Sequence, residues 1–192
     1  TSLENKQIFS ELEPVAMRLE VKEGINGCQL INDTYNSDIN SLDIALDFQL
    51  SRRAGKPLKT TIVISDILQS GMLPKTLYRK VAELLRRKHV ERIIGIGRDL
   101  KEYAAAFEIP EKEFYLTTDE FIHSPSIRSF DHELVLLKGS RVFHFERITE
   151  LLEKKVHETV LEVNLDAVVH NFNYFRSRLR RETKMVCMVK AF

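Results

Sequence analysis

Apolar and polar positions along the chain follow three rhythms. Near the start, Met17–Glu23 and Cys28–Asn32 are short alternating runs with Gly24 and Gly27 between them. Alternation predicts two strands, and the glycine-bearing link predicts that they form a hairpin. From Ser41 to Ala54 the apolar positions Leu42, Ala45, Leu46 and Leu50 fall on one helical face, and Gly55-Lys56-Pro57 stops that helix. Short runs that are apolar throughout then alternate with helical stripes. Thr60–Ile64 precedes a helix opened by Pro74, with Leu77, Val81, Leu84 and Leu85 on its face; Arg92–Ile96 precedes a short helix over Asp99–Phe107. Phe114–Leu116 precedes a helical turn at Thr118–His123, and Leu134–Leu137 precedes a closing helix over Phe145–Lys154. A strand with no polar face must be covered on both sides. Strand–helix alternation with short links makes a parallel sheet. The pattern therefore predicts an α/β fold with a doubly wound, mostly parallel sheet.

After Lys155 the pattern changes. Val160–Asn164 reads as a strand, Asp166 can cap a helix with Val168, Phe172, Phe175 and Leu179 on one face, and Lys184–Val189 is another apolar strand. This β-α-β start is too small to bury a core of its own, since independent folding usually fails below roughly 40 residues. It reads as the opening of a larger domain. The first residues, TSLENKQIFSELEP, read as mid-helix and lack the basic-then-apolar pattern of a secretory leader. The chain is expected to be part of a longer protein.

Composition narrows the partners. Of 192 residues, 29 are Lys or Arg and 28 are Asp or Glu, a formal net charge of +1. Nucleic acid and acidic membrane surfaces are recognised by a basic excess, so neither is an expected partner. Two local basic runs, Arg86-Arg87-Lys88 and Arg176 to Arg181, lie on polar faces of predicted helices and read as solvated charge. The two cysteines, Cys28 and Cys187, sit in apolar segments without a CxxC pattern, which points to small buried hydrophobes in a reducing, cytoplasmic compartment. No run approaches the roughly 20 apolar residues needed to span a bilayer.

Several loops carry candidate chemistry. Asp33-Thr34-Tyr35-Asn36 follows a strand and precedes a helix, where open α/β sheets deliver ligand-binding loops. Its Asp can accept from a ribose hydroxyl while Tyr and Asn orient a base or phosphate. Equally, Asp33 or Ser41 can simply cap the helix. Lys138-Gly139-Ser140-Arg141 follows the last strand of the sheet; Gly allows close backbone approach, and Lys and Arg can hold a carboxylate or phosphate. The same segment also fits a strand-to-loop turn with exposed charge. Gly95-Ile96-Gly97 lacks the third glycine of the dinucleotide fingerprint, Leu100 standing in its place, so no dinucleotide site is expected. None of the six histidines has a metal-ligand spacing with Cys, Asp or Glu, and no GxSxG elbow is present. Lys190, from position alone, reads as a surface lysine at a strand end.

These segments together resemble a known family. MRLEVKEGINGCQLINDTYNSDINSLDIAL is similar to the start of the C-terminal domain of the Mur ligases, most of all the member that adds D-alanyl-D-alanine to UDP-N-acetylmuramoyl-tripeptide. The matching positions are Arg18, Asp33, Thr34, Tyr35, Asn36 and Ser41, whereas Ser37-Asp38-Ile39 replaces the family's Ala-Asn-Pro. Val63–Gly71 resembles the family's Gly-Asp-Met-x-Glu-Leu-Gly loop, keeping Asp66 and Gly71 and replacing the Glu by Gln69; LVLLKGSR at Leu134–Arg141 matches the end-of-sheet motif. Three motifs in order over residues 15–155 make the resemblance specific.

The resemblance implies an ATP-dependent amide ligase of peptidoglycan precursor synthesis. Arg18, Asp33 and Asn36 would then bind ATP, and Lys138, Ser140 and Arg141 would face the incoming dipeptide. The phosphate loop and the ligands of Mg2+ would belong to a central domain, so this piece alone is not expected to turn over. The tail, Glu162–Asn171 with Met185–Ala191, resembles the start of alanine racemase. There Val189-Lys190-Ala191 would place Lys190 as the lysine that holds pyridoxal 5'-phosphate, although Phe192 departs from the usual Asn. The expected organisation is 1–15 as the end of a central ligase domain, 16–156 as the Mur ligase C-terminal domain, and 157–192 as a truncated start of a (β/α)8 racemase barrel. Two alternatives stay open: that racemization is the function of interest and the first domain a carrier, or that the chain is a non-enzymatic α/β interaction module.

Overall fold

The computed structural model describes residues 19–35, 37–68, 70–155 and 163–186. Arg18, Asn36, Gln69, Cys187 and Lys190, and with them the expected strand over 160–162 and 187–189, lie outside the described residues. Two compact units are separated at Lys154 and Lys155.

The first unit begins with the expected hairpin. Strand β1 (Glu20–Glu23) pairs antiparallel with β2 (Gln29–Asp33), turning through Asn26 and Gly27, both at positive φ. Asp38, which follows β2, caps helix α1 (Ile39–Arg53): its carboxylate accepts from the Ser41 backbone N–H, and Ser41 completes the reciprocal capping box. The cap is thus Asp38, not Asp33 or Ser41. The remaining elements are β3 (Lys59–Ser65), α2 (Pro74–Arg87), β4 (Arg92–Ile96), α3 (Arg98–Glu102), β5 (Glu111–Tyr115), α4 (Thr118–Ile122), β6 (Glu133–Lys138) and α5 (Glu146–Leu152). Pro74 does open α2 at its first turn, where the absent N–H costs nothing.

The six strands are ordered β1-β2-β6-β3-β4-β5, and all pairings but the first are parallel. The last strand made, β6, is inserted between β2 and β3. Its residues explain why the pattern showed no polar face. Leu134 and Leu136 point into a core with Leu42, Leu46, Leu77, Val81 and Leu85 from α1 and α2. Val135 and Leu137 point the other way, into a core with Phe121, Phe130, Phe145 and Ile148. All four are fully buried, so each face of the sheet is covered by its own helical layer, as expected for a doubly wound sheet. A buried amide stitches the centre: Gln49 of α1 donates to the carbonyls of Thr61 (2.9 Å) and Leu134 (2.7 Å) on the adjacent strands β3 and β6.

The second unit is described mainly as helix α6 (Leu165–Arg178). Its cap is Asn164, whose side chain accepts from the Ala167 N–H at 3.1 Å, rather than Asp166, which lies in the first turn. Val168, Phe172, Phe175 and Leu179 are all exposed. Lys184–Val186 is not a strand.

Candidate functional site

Parallel pairing lines up the carboxyl ends of the strands along one ridge, and the register decides which side chains meet there. Asp33, the last residue of β2, is opposite Lys138, the last of β6; Lys138 is opposite Ile64 of β3; Ser65 is opposite Ile96 of β4. Two of the motifs separated by most of the chain therefore become neighbours because β6 returns to the middle of the sheet.

The closest contact is ionic. The Lys138 Nζ is 2.8 Å from Asp33 Oδ2, with side-chain exposures of 1% and 11%. Among the expected site residues, Lys138 thus has its ammonium committed to Asp33 and turned away from open solvent. Its charge also reaches the helix cap. The N–H bond from Ser41 holds the Asp38 carboxyl below its usual range, and Lys138 pulls it further in the same direction.

Beyond the strand ends, the loops add polar groups of a different kind. Ser140 donates its backbone N–H to the Ser65 Oγ at 3.0 Å, while its own hydroxyl is buried without a hydrogen-bond partner. The hydroxyl of Ser37, in the loop after β2, is in the same condition. Buried polar groups are normally satisfied, so an orphaned one marks a place where a ligand or water completes the bonding. Arg141 lies with its guanidinium carbon 4.2 Å from the centroid of the Tyr35 ring. Gly139 makes this turn possible in a specific way: a Cβ there would come within 2.7 Å of the ring of Phe145, the residue before α5, so glycine lets the loop lie against that ring.

The third loop of the ridge is structural. Asp66, after β3, accepts the N–H groups of Leu100 (2.8 Å) and Asp99 (3.1 Å) and the Tyr78 hydroxyl (3.1 Å). Burial nevertheless raises its carboxyl above the usual range. Gly97 packs against it with φ 142°, and a Cβ at that position would fall 2.2 Å from the Asp66 Cγ. A Cβ at Gly95 would meet the Phe114 ring at 2.5 Å. Gly95-Ile96-Gly97 is therefore a packing motif that lets β4 and its following turn approach β5 and Asp66. Sequence reading missed this role for Asp66; its spacing to Gly97 carries no signal until the strands are aligned.

At the opposite end of the sheet lies a second ionic group. Arg92 reaches Glu133 and Glu113 at 3.1 Å each and the Ser129 hydroxyl at 2.8 Å, over the face of Phe130. Glu133 is 3% exposed. Arg18, Asn36 and Lys190, the other expected site residues, lie outside the described residues. Among the described residues no group of three or more His, Cys, Asp or Glu side chains is arranged to hold a metal ion, and no helix is long and apolar enough to cross a membrane.

No protein-family model matches the chain. Over 147 residues it is 25% identical to the UDP-N-acetylmuramoyl-tripeptide–D-alanyl-D-alanine ligase of Bacillus subtilis, across 74% of this chain and 32% of that protein. The solved MurF ligase from Thermotoga maritima in complex with ADP superposes with a TM-score of 0.56 at 18% identity, covering 78% of this chain and 35% of that one. A crystal structure of MurF from Acinetobacter baumannii gives a TM-score of 0.57 at 19% identity over 73% of this chain and 31% of that one. The chain spans about a third of the length of these relatives. The mixed α/β fold with its mostly parallel six-stranded sheet is that of the C-terminal domains of Mur ligases.

Proposed function

We propose that residues 16–156 are the C-terminal domain of an ATP-dependent amide ligase that joins D-alanyl-D-alanine to UDP-N-acetylmuramoyl-tripeptide. The observation that carries this reading is the meeting of two remote motifs, Asp33-Thr34-Tyr35 and Lys138-Gly139-Ser140-Arg141, in one polar ridge built around the Asp33–Lys138 pair. The likeness to the Bacillus subtilis ligase supports the substrate assignment.

In such a reaction a peptide carboxylate oxygen attacks the γ-phosphorus of ATP and ADP leaves. The amine nitrogen of the dipeptide then attacks the acyl carbon, phosphate departs, and the nitrogen gives up a proton. A neighbouring domain supplies the phosphate loop and the Mg2+ ligands; this domain closes over the nucleotide and brings its ridge to the reacting groups. Asp33, fixed by Lys138, offers an oriented acceptor for a ribose hydroxyl, while Arg18 would donate to the phosphates and Asn36 would lie beside the nucleotide. Ser140 and Arg141 face the anionic groups of the reactants. Lys138 acts through Asp33 rather than by touching substrate, since its ammonium is already engaged. Preset donors and charges cost no reorganisation during the reaction, which is why such a ridge is held rigid before the cleft shuts.

The test is amide formation by the longer protein that carries the phosphate-loop domain, with ATP affinity measured by isothermal titration. Asp33→Ala is expected to weaken ATP roughly ten-fold or more, the cost of a lost charge-assisted hydrogen bond. Equal affinity in a folded Asp33→Ala protein rejects the assignment. For residues 157–192 the reading is the start of an alanine racemase domain, with Lys190 holding pyridoxal 5'-phosphate. Lys190 lies outside the described residues, so this part rests on the motif alone. A pyridoxal chromophore that survives Lys190→Ala in the longer protein counts against it.

A further inference from the structure

We infer that Tyr35 is a positioning residue for Arg141, holding its guanidinium ready to fork onto an oxyanion of the ligase substrates. This rests on the ligase reading above. Arg141 is exposed and takes part in no ion pair among the described residues, yet it is not at large: its charged carbon sits 4.2 Å from the centre of the Tyr35 ring. An arginine on the surface normally samples many rotamers, and fixing such a side chain at the moment of binding costs affinity. A cation held over an aromatic face is restrained in advance, at 4.2 Å from the ring centre here. The five N–H groups of a guanidinium exceed what that contact uses, so donors remain for a two-pronged bond to carboxylate or phosphoryl oxygens. The neighbouring Ser140 hydroxyl, buried and without a partner, is a third donor at the same loop.

The placement of the two residues follows from the sheet. Tyr35 is two residues past the end of β2, and Arg141 three past the end of β6. These strands are paired in register at Asp33 and Lys138, so the salt bridge sets the spacing at which the ring and the guanidinium meet. The shared chemistry is an oxyanion, which can belong either to the carboxylate of the dipeptide or to the phosphoryl group being transferred.

The experiment compares Tyr35→Phe, Tyr35→Leu, Arg141→Lys and Arg141→Ala in the longer protein. It records KM for ATP, KM for the dipeptide and kcat separately. Tyr35→Leu is expected to raise one KM roughly three- to ten-fold, the preorganisation of one long side chain, while Tyr35→Phe keeps it because the ring suffices. The substrate whose KM rises identifies the oxyanion. Tyr35→Leu is expected to add nothing in the Arg141→Ala background. A Tyr35→Leu protein with both KM values unchanged, or a Tyr35→Phe protein as impaired as Tyr35→Leu, overturns the inference. Independently of turnover, the Arg141 Nε resonance of the present chain can be titrated with D-alanyl-D-alanine and with pyrophosphate. A shift in the unsubstituted chain that weakens in Tyr35→Leu supports the inference, and no shift with either probe overturns it. Absence of amide formation by the unsubstituted longer protein, by contrast, rejects the ligase reading while leaving the titration to decide on the stack.

Discussion

Removing the Lys138 ammonium tests whether the Asp33–Lys138 pair organises the ridge. At 2.8 Å, two unit charges attract by about 6 kcal/mol at an effective dielectric constant of 20. Withdrawing both from water costs several kcal/mol per ion, so the net value of the intact pair is small. Single removal is different. Lys138→Met keeps the volume of the side chain but takes from Asp33, 8% exposed, its ion-pair partner among the described residues, and the cost is about 3–5 kcal/mol. For a domain of this size that lowers Tm by roughly 10 °C or more. Adding Asp33→Asn removes the stranded charge, so the double variant should be more stable than the sum of the two single effects by about 2 kcal/mol or more. Urea unfolding of the four proteins, read by far-ultraviolet circular dichroism, gives the coupling directly. Raising salt to about 0.5 M should leave that coupling nearly intact, because buried pairs are poorly screened. Effects that add to within about 0.5 kcal/mol, or a coupling that salt abolishes, refute the argument that a desolvated ion pair fixes Asp33.

Other consequences can be checked on the same chain. Gly97→Ala puts a Cβ against the Asp66 carboxyl at φ 142° and should cost about 3 kcal/mol or more, strain and overpacking together, measured as the urea midpoint. Asp38→Asn should cost under about 1 kcal/mol near neutral pH, since Asn also caps well. The carboxyl of Asp38 is held below its usual 3.8 in the folded state, so its charge-dependent stabilisation is complete above that value and is lost as pH falls through the lower folded one. The gap between Asp38→Asn and the unsubstituted chain should therefore close on acidification below pH 3.8, and a gap that widens there contradicts the sign. Arg92→Met leaves Glu133, 3% exposed, with Lys59 at 3.8 Å and the Thr61 hydroxyl as its remaining partners, and should destabilise by about 2–3 kcal/mol, the loss of a charge-assisted hydrogen bond, seen as a lower Tm in scanning calorimetry.

The inner strands were legible because burial on both faces leaves a direct trace: the central runs of β3, β4 and β6 are apolar with no alternation. The helices α1 and α2 were legible from their stripes and their boundaries, Gly55 and Pro74. Strand order was not, because nothing local in Glu133–Lys138 says that this last strand lies between the first and the third. For the same reason the Asp33–Lys138 and Arg141–Tyr35 contacts could not be read from either motif alone. Resemblance named both loops, and only the register shows that they are adjacent. The caps were read one element wide of the mark: the chain offered Asp33, Ser41 and Asp166, while the helices took Asp38 and Asn164, whose positions depend on where the backbone first turns. Gly95 and Gly97 gave a signal that looks like ligand binding and proves to be close packing against Phe114 and Asp66.

The insertion of β6 between β2 and β3 has a consequence for how the molecule is made. As the polypeptide leaves the ribosome, the hairpin and the β3–β5 half emerge first, with no hydrogen-bonded neighbour joining them. Until Lys138 has been synthesised, each half presents a bare, apolar strand edge, the kind of surface that recruits strands from other molecules. Nonsense products ending before Glu133 should therefore be insoluble or promptly degraded, whereas products ending just after α5 should accumulate as folded protein.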